Sequence, residues 1–233
     1  MDEQTVQDHS SAFYEQRYDH YGLDYHKAII AWLMQHAHGK VLDAGCGTGI
    51  VSRLYKHLDI TGIDLSPGML AQHQGKHKLM SVTDMTFKDE SFDFILCRSL
   101  LHHLPNHRDA LQEMFRALKP DGHIAFWETN AGRLAQWVRA RTQHGDRFTE
   151  YHHAFSAKEL VADISEWFSV DEVQHQGFIG YPLFGFPDIL DLQRWIPGKR
   201  WVFPATMAVD RWLGRVPLVQ QMSWALGIRA HKA

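Results

Sequence analysis

Cysteine is nearly absent from the 233-residue chain: there are two, Cys46 and Cys97. That excludes the disulfide framework on which small secreted domains rely. No apolar run approaches the roughly 20 residues that a bilayer-spanning helix needs. Neither sign of charge dominates. The 24 Lys/Arg and 27 Asp/Glu leave a formal net charge of -3, which argues against a chain-wide polyanion binder. Met1 to Asp8 carries no basic stretch ahead of an apolar core, so no signal peptide is read there. No His-Glu-x-x-His pattern and no Cys/His ligand spacing occurs, so no metal is expected. What is present is an ordinary globular composition, 45% hydrophobic and 22% charged, which excludes a disordered or fibrous chain. The default is a soluble cytoplasmic protein with one large domain, or one domain and an elaboration.

The balanced charge hides an asymmetry. Residues 177–233 hold seven Lys/Arg and three acids, four of the eight tryptophans and five of the eight prolines. Residues 1–176 are correspondingly acidic. The shift places the end of a core domain, 1–176, near Gly177. A basic, Trp- and Pro-rich cap or substrate lid, 177–233, follows it.

Elements alternate along the core. The spacing of Ile29, Ile30, Leu33, Met34 and Ala37 predicts a helix over 25–38. Lys40–Ala44 is a short apolar run ending at glycines, the mark of a buried strand. A helix through Ile50, Val51, Leu54, Tyr55 and Leu58 and a strand over Ile60–Ile63 follow. Ser66-Pro67 is a helix start, a capping residue before proline. Strands are expected over Leu79–Val82, Phe92–Cys97, His123–Trp127 and Val170–His175. Helices open at Asn106 and at Ser156, the latter with Glu159 in capping-box spacing. Such alternation implies an α/β fold: a doubly wound, mainly parallel sheet with helices on both faces. Ligands in such folds sit beyond the carboxyl ends of the strands.

Three strand ends carry candidates. Gly45-Cys46-Gly47-Thr48-Gly49 joins a strand to a helix, and its glycines let the backbone approach a ligand without an intervening Cβ. The helix N-terminus adds free N–H groups. Position 50 is Ile rather than the third glycine of a dinucleotide fingerprint, and no Walker lysine follows, so a pyrophosphate fits poorly. Asp64 ends the second strand about 20 residues past the first loop glycine, where a carboxylate can accept both ribose hydroxyls. Asp84 and Met85, after the third, could meet an adenine. Asp43 is a polar residue inside an apolar strand. It either fixes the loop backbone or meets a ligand ammonium.

Val41-Leu42-Asp43-Ala44-Gly45-Cys46-Gly47-Thr48-Gly49 resembles the first motif of class I S-adenosylmethionine-dependent methyltransferases, and Gly62-Ile63-Asp64-Leu65-Ser66 the second. Phe92–Cys97 through Leu101-His102-His103-Leu104 resembles the fourth-strand motif. Arg116-Ala117-Leu118-Lys119-Pro120-Asp121-Gly122-His123 resembles the turn before the fifth. The likeness covers about 25–175 and is similar to the quinone-biosynthesis branch. It implies a sheet of the seven-stranded type with S-adenosylmethionine as cofactor. Gly45, Cys46, Gly47 and Gly49 would then pass the methionine part, Asp64 and Leu65 the ribose, and Asp84 and Met85 the adenine. Arg98 and Ser99 would lie near the methyl group. Tyr14, Tyr18 and Tyr21 would form an N-terminal lid, or simply pack on the core.

Methyl transfer is an in-line displacement in which the cofactor brings the reactivity and the protein the alignment. A base is needed only for some acceptors. His102, His103 and Glu128 are the candidates, each with a plain packing role as the alternative. His152-His153 and the segment Thr129–Phe155 could face the substrate. Cys46 and Cys97 are expected as free thiols. The expected acceptor is a small, hydrophobic or aromatic molecule. Nucleic acid is disfavoured by the acidic core, and peripheral membrane contact through the tail stays open. The competing readings are an NAD(P)-dependent oxidoreductase and a non-catalytic S-adenosylmethionine-binding protein.

Overall fold

The computed structural model describes residues 5, 7–8, 11, 14–18, 21–132, 155–185, 195–196 and 199–233. Seven strands make one sheet: β1 (Lys40–Ala44), β2 (Asp59–Asp64), β3 (His77–Leu79), β4 (Phe92–Arg98), β5 (Leu118–Thr129), β6 (Ser169–Gln176) and β7 (Ala225–His231). Their spatial order is β3-β2-β1-β4-β5-β7-β6. The pairs among β1 to β5 are parallel; β7 runs antiparallel to both β5 and β6. The described helices of four or more residues are α1 (Tyr21–Leu33), α2 (Ile50–Leu54), α3 (Pro67–Leu70), α4 (His107–Ala117), α5 (Ala157–Ser165), α6 (Lys199–Leu213) and α7 (Pro217–Gln220). A 3₁₀ turn, Glu15–Tyr18, precedes α1, and Tyr181–Gly185 forms a π turn.

Both faces of the sheet are buried, and the strand period of two divides its side chains between them. Leu42, Ile95, Ile124 and Phe126 face α4 and α5. Val41, Phe94, Leu96 and Trp127 face α1, whose Tyr25, Ile29, Ile30 and Leu33 recur at helical spacing. Phe94 and Phe126 are fully enclosed, each worth about 1.5–3 kcal/mol of transfer free energy.

Local signals act where expected. Ser66 Oγ accepts from Met69 N and caps α3. Asn106 accepts from Arg108 N, and Ser156 with Glu159 forms a reciprocal capping box. Several boundaries differ. α2 stops at Leu54, leaving Tyr55 and Leu58 in the turn that follows. The third strand lies at His77–Leu79, earlier than Leu79–Val82, as an exposed edge strand. β5 begins at Leu118, and Asp121 takes a positive φ where the register against β4 shifts.

The largest departure concerns the tail. Ala225–His231 does not cap the domain but enters the sheet between β5 and β6. A boundary at Gly177 would therefore cut through one sheet. Gly227 opposes Trp127 on one side and Gln174 on the other. A Cβ there would stand 2.6 Å from the Trp32 ring of α1, so the strand takes glycine where a helix side chain lies against it. Before β7, Asn130 Nδ2 donates to Ser223 O and Oγ, clasping the chain as it returns.

Candidate functional site

The carboxyl ends of β1, β2 and β4 converge on the glycine loop. Gly45, Gly47 and Gly49 all take positive φ (72°, 51° and 82°), conformations that glycine adopts without a steric penalty. Gly45 N and Cys46 N donate to Ile63 O at 2.9 and 3.0 Å, so the loop folds over the end of β2. Asp64 completes the clamp. Its Oδ2 accepts from Gly47 N and its Oδ1 from Ser66 N, both at 2.9 Å. Burial raises the Asp64 pKa, with the donated N–H groups opposing that rise. At the Gly47 Cα a Cβ would make ordinary contact with the Tyr14 ring, 3.7 Å away, so the ring lies directly against the loop. α2 has only five residues, so the loop's own N–H groups, rather than a long helix, supply the positive potential here.

Asp43 lies at the root of the loop, 2% exposed, and its Oδ2 has no hydrogen-bond partner among the described residues. Burial pushes its carboxyl up to about 7, with Arg98 opposing and Asp64 adding to the rise. Arg98 ends β4, and its Nη2 donates to Tyr18 Oη at 3.3 Å. Burial, with Tyr14 adding, raises the Tyr18 phenol well above its ordinary range, so it stays neutral. Tyr18 stands edge-on to Tyr14, centroids 6.1 Å apart, and the Arg17 guanidinium lies 4.5 Å from the Tyr14 ring. Two contacts pin this N-terminal segment over the loop. Glu15 pairs with both terminal nitrogens of Arg53 at 2.7 and 2.9 Å, and Asp8 accepts from Ser66 Oγ and Gly68 N.

A second buried cluster lies beyond β4 and β5. Glu128 is fully buried at the end of β5. Its Oε1 accepts from Leu100 N (2.9 Å) and Leu101 N (2.8 Å), and its Oε2 from His102 Nδ1 (2.5 Å). Burial works to raise this carboxyl, but His102 and the two backbone donors outweigh it and hold it below the ordinary carboxylate range. His103 is half-buried, its ring centroid 4.1 Å from that of His102, and it lies on the side of Asp64. Ser99, between the two clusters, takes φ 55° and donates its N–H to Trp127 O at 2.7 Å.

Residues 42–126 match the family model described as a methyltransferase domain, a span that holds the loop, Asp64, Arg98 and the His pair. Residues 42–126 are a methyltransferase domain, and the sheet has the class I methyltransferase fold. The chain is 33% identical over 104 residues to the ubiquinone biosynthesis O-methyltransferase of Pseudomonas entomophila, covering 39% of this chain and 44% of that one. The chain thus spans about half the length of the curated relatives it matches. Two solved structures share the fold over nearly all of both chains. The N-methyltransferase NodS from Bradyrhizobium japonicum, in complex with S-adenosyl-L-homocysteine, has TM-score 0.62 at 15% identity and coverage of 98% and 97%. A SAM-dependent methyltransferase of Thermotoga maritima has TM-score 0.66 at 18% identity and coverage of 98% and 99%.

Not every residue singled out in the sequence reaches the glycine loop. Asp43, Gly45, Cys46, Gly47, Gly49, Asp64, Arg98, Tyr14 and Tyr18 gather there. Cys46 turns its thiol inward, over Gly62, where burial pushes its pKa up. Both cysteines are free and buried. Tyr21 points elsewhere, stacking parallel to Phe203 at 6.3 Å and against Phe184. Leu65 and Asp84 are exposed past their strands. The Met85 side chain sinks into the core, because Glu113 accepts from its N–H and Arg116 donates to its carbonyl, both at 2.9 Å. Glu128 has both oxygens engaged and no exposure, so it positions the 100–103 turn instead of serving as a base. His152-His153 and most of Thr129–Phe155 lie outside the described residues. No cluster of metal-ligating side chains occurs among the described residues, and no described helix is long and apolar enough to cross a membrane.

Sequence reasoning missed His73. It is 6% exposed and accepts from Gly75 N through Nδ1, and a Cβ on Gly49 would meet it at 2.5 Å. Burial lowers its pKa. Nothing local in Gln72-His73-Gln74 signals this place under the loop.

Proposed function

We propose that the domain transfers the methyl group of S-adenosylmethionine to a small apolar or aromatic acceptor. The observation that carries the reading is Asp43. A buried carboxylate oxygen without a partner is costly, and one at the root of a glycine loop suits a ligand ammonium. The loop backbone at Gly45, Cys46, Gly47 and Gly49 passes the amino-acid part of the cofactor. Each Asp64 oxygen spends one acceptor site on a backbone N–H and keeps another for a ribose hydroxyl. Leu65 and Asp84 border the adenine side, with Met85 packed beneath. Tyr14 and Tyr18 cover the loop, and Arg98 fixes Tyr18.

When bound, the cofactor supplies an electrophilic methyl on sulfur. The residues around it bind, orient and exclude water; alignment of this kind supplies up to about 7–11 kcal/mol of barrier lowering. Where the acceptor must lose a proton, His103 is the candidate. It is the half-buried member of the pair and stands on the Asp64 side, while His102 is tied to Glu128. The name of the Pseudomonas relative, an O-methyltransferase of ubiquinone biosynthesis, supports an aromatic hydroxyl as acceptor.

The test is thermal unfolding with S-adenosylhomocysteine, with NADH and with neither. A ligand at about 100 times its Kd adds roughly 2.7 kcal/mol, or about 5–10 °C for a chain of this size. The expected result is a rise with S-adenosylhomocysteine alone, abolished in Asp64→Ala. A rise with NADH alone, or with neither, overturns the cofactor assignment.

A further inference from the structure

We propose that α6 and the turn after it form a docking face for an anionic lipid bilayer. The helix has two unlike sides. Thr206, Met207 and Asp210 are buried, and Asp210 accepts from Ile179 N (2.8 Å) and Gly180 N (2.9 Å), tying the helix to the segment after β6. Phe203 packs on Tyr21 and Phe184. The opposite side is exposed at Trp201, Ala205, Ala208, Val209 and Trp212, residues that recur at helical spacing. Trp201 and Trp212 are about three turns apart and so share one face. They are 79% and 62% exposed, and Leu218 just beyond is 82% exposed.

Charge decides the occupant. Residues 195–233 contain six Lys/Arg but a single acid, Asp210, which faces inward. Arg229 pairs with Glu172 in the sheet and Lys232 donates to Phe115 O and Leu118 O, so Arg211 and Arg215 are the cations this face presents among the described residues. Arg211 and Arg215 are exposed and make no ion pair with a described residue. Arg211 adjoins Trp212 in the chain and Arg215 follows three residues on, and no acid is exposed among the described residues of 195–233. An indole-and-arginine surface matches a headgroup layer, where the ring enters the acyl boundary and the cation meets phosphate. Two copies of the chain meeting through this face would oppose like charges. The inner side of the same helix packs on Tyr21 of α1, so docking would hold the helix that covers this face of the sheet against the bilayer.

The experiment is sedimentation of the full chain with vesicles of phosphatidylcholine alone or with phosphatidylglycerol added. The proposal expects binding to the anionic vesicles at low salt, weakened by added salt, with a blue shift of tryptophan emission. Each arginine near such a surface contributes roughly fivefold to partitioning, so R211E/R215E should lose more than about 25-fold. W201S/W212S should lose at least about tenfold. All four side chains are exposed, and unchanged unfolding midpoints would confirm intact folds. Absence of binding to anionic vesicles overturns the proposal. So does binding that W201S/W212S leaves unchanged, or a dimer that W201S/W212S dissociates, which would assign the face to self-association. None of these readouts requires the cofactor, so failure of the methyltransferase reading would leave them intact.

Discussion

Replacing Glu128 tests whether a strand-end carboxylate beside a histidine is part of the scaffold. Glu128 satisfies three buried donors: the N–H groups of Leu100 and Leu101, and His102 Nδ1. Glu128→Leu keeps a similar volume and removes every acceptor. Each orphaned buried donor costs about 1–3 kcal/mol, so the sum after relaxation is about 4 kcal/mol or more. Glu128→Gln keeps one acceptor oxygen and can meet His102 in its other tautomer, which limits the loss to about 1–3 kcal/mol. At roughly 2–4 °C per kcal/mol for this chain length, the Leu variant should melt about 8–16 °C lower, with Gln between it and the parent. Acid sensitivity supplies an independent readout. The folded-state pKa of Glu128 is depressed, so its stabilisation is present above the unfolded carboxylate value and lost as pH falls through the folded value. The Leu variant should lack that part of the acid-induced decline. Thermal and urea unfolding across pH measure both. A Leu variant within about 1 kcal/mol of the parent would refute the reasoning, because three buried donors cannot lose their acceptor so cheaply.

Asp43 predicts the opposite pH behaviour. Its carboxyl is pushed up to about 7, so in the ligand-free protein its stability contribution is complete below the unfolded pKa and lost as pH rises through about 7. S-adenosylhomocysteine affinity should rise about tenfold between pH 6 and 8 as the carboxylate forms, and calorimetry on Asp43→Asn should show that dependence removed. Deleting residues 225–233 should abolish cooperative unfolding, since it strips β5 and β6 of their shared partner. A truncated chain that still melts cooperatively would show that the last strand is dispensable.

Much of the core was legible because its signals are local. Ser66-Pro67, Asn106 and Ser156 with Glu159 are helix starts whose geometry is complete within four residues. The glycine loop declares itself because positive φ at three positions leaves little choice of residue. Asp64 could be placed by counting from that loop. The roles of Met85 and Tyr21 were not legible in the same way. Met85 follows a strand end as Asp84 does, yet Arg116, 31 residues on, takes its carbonyl and turns its side chain into the core. Tyr21 lies in the same aromatic run as Tyr14 and Tyr18. Phe203 and Phe184, far along the chain, provide the surface it packs on.

By itself the sequence determined the α/β alternation, the loop and its acid, and the asymmetry that sets residues 177–233 apart in charge and aromatic content. Only the tertiary structure decided that the end of this tail is a strand inside the sheet, that Glu128 serves the backbone, and that Asp43 is left with an oxygen unpartnered among the described residues. The physical reason is range. Capping, turn conformation and periodicity are energies of neighbouring residues, written in neighbouring letters. Strand insertion and the pairing of buried polar groups depend on which distant segments share an edge, and that is settled only when the whole sheet closes.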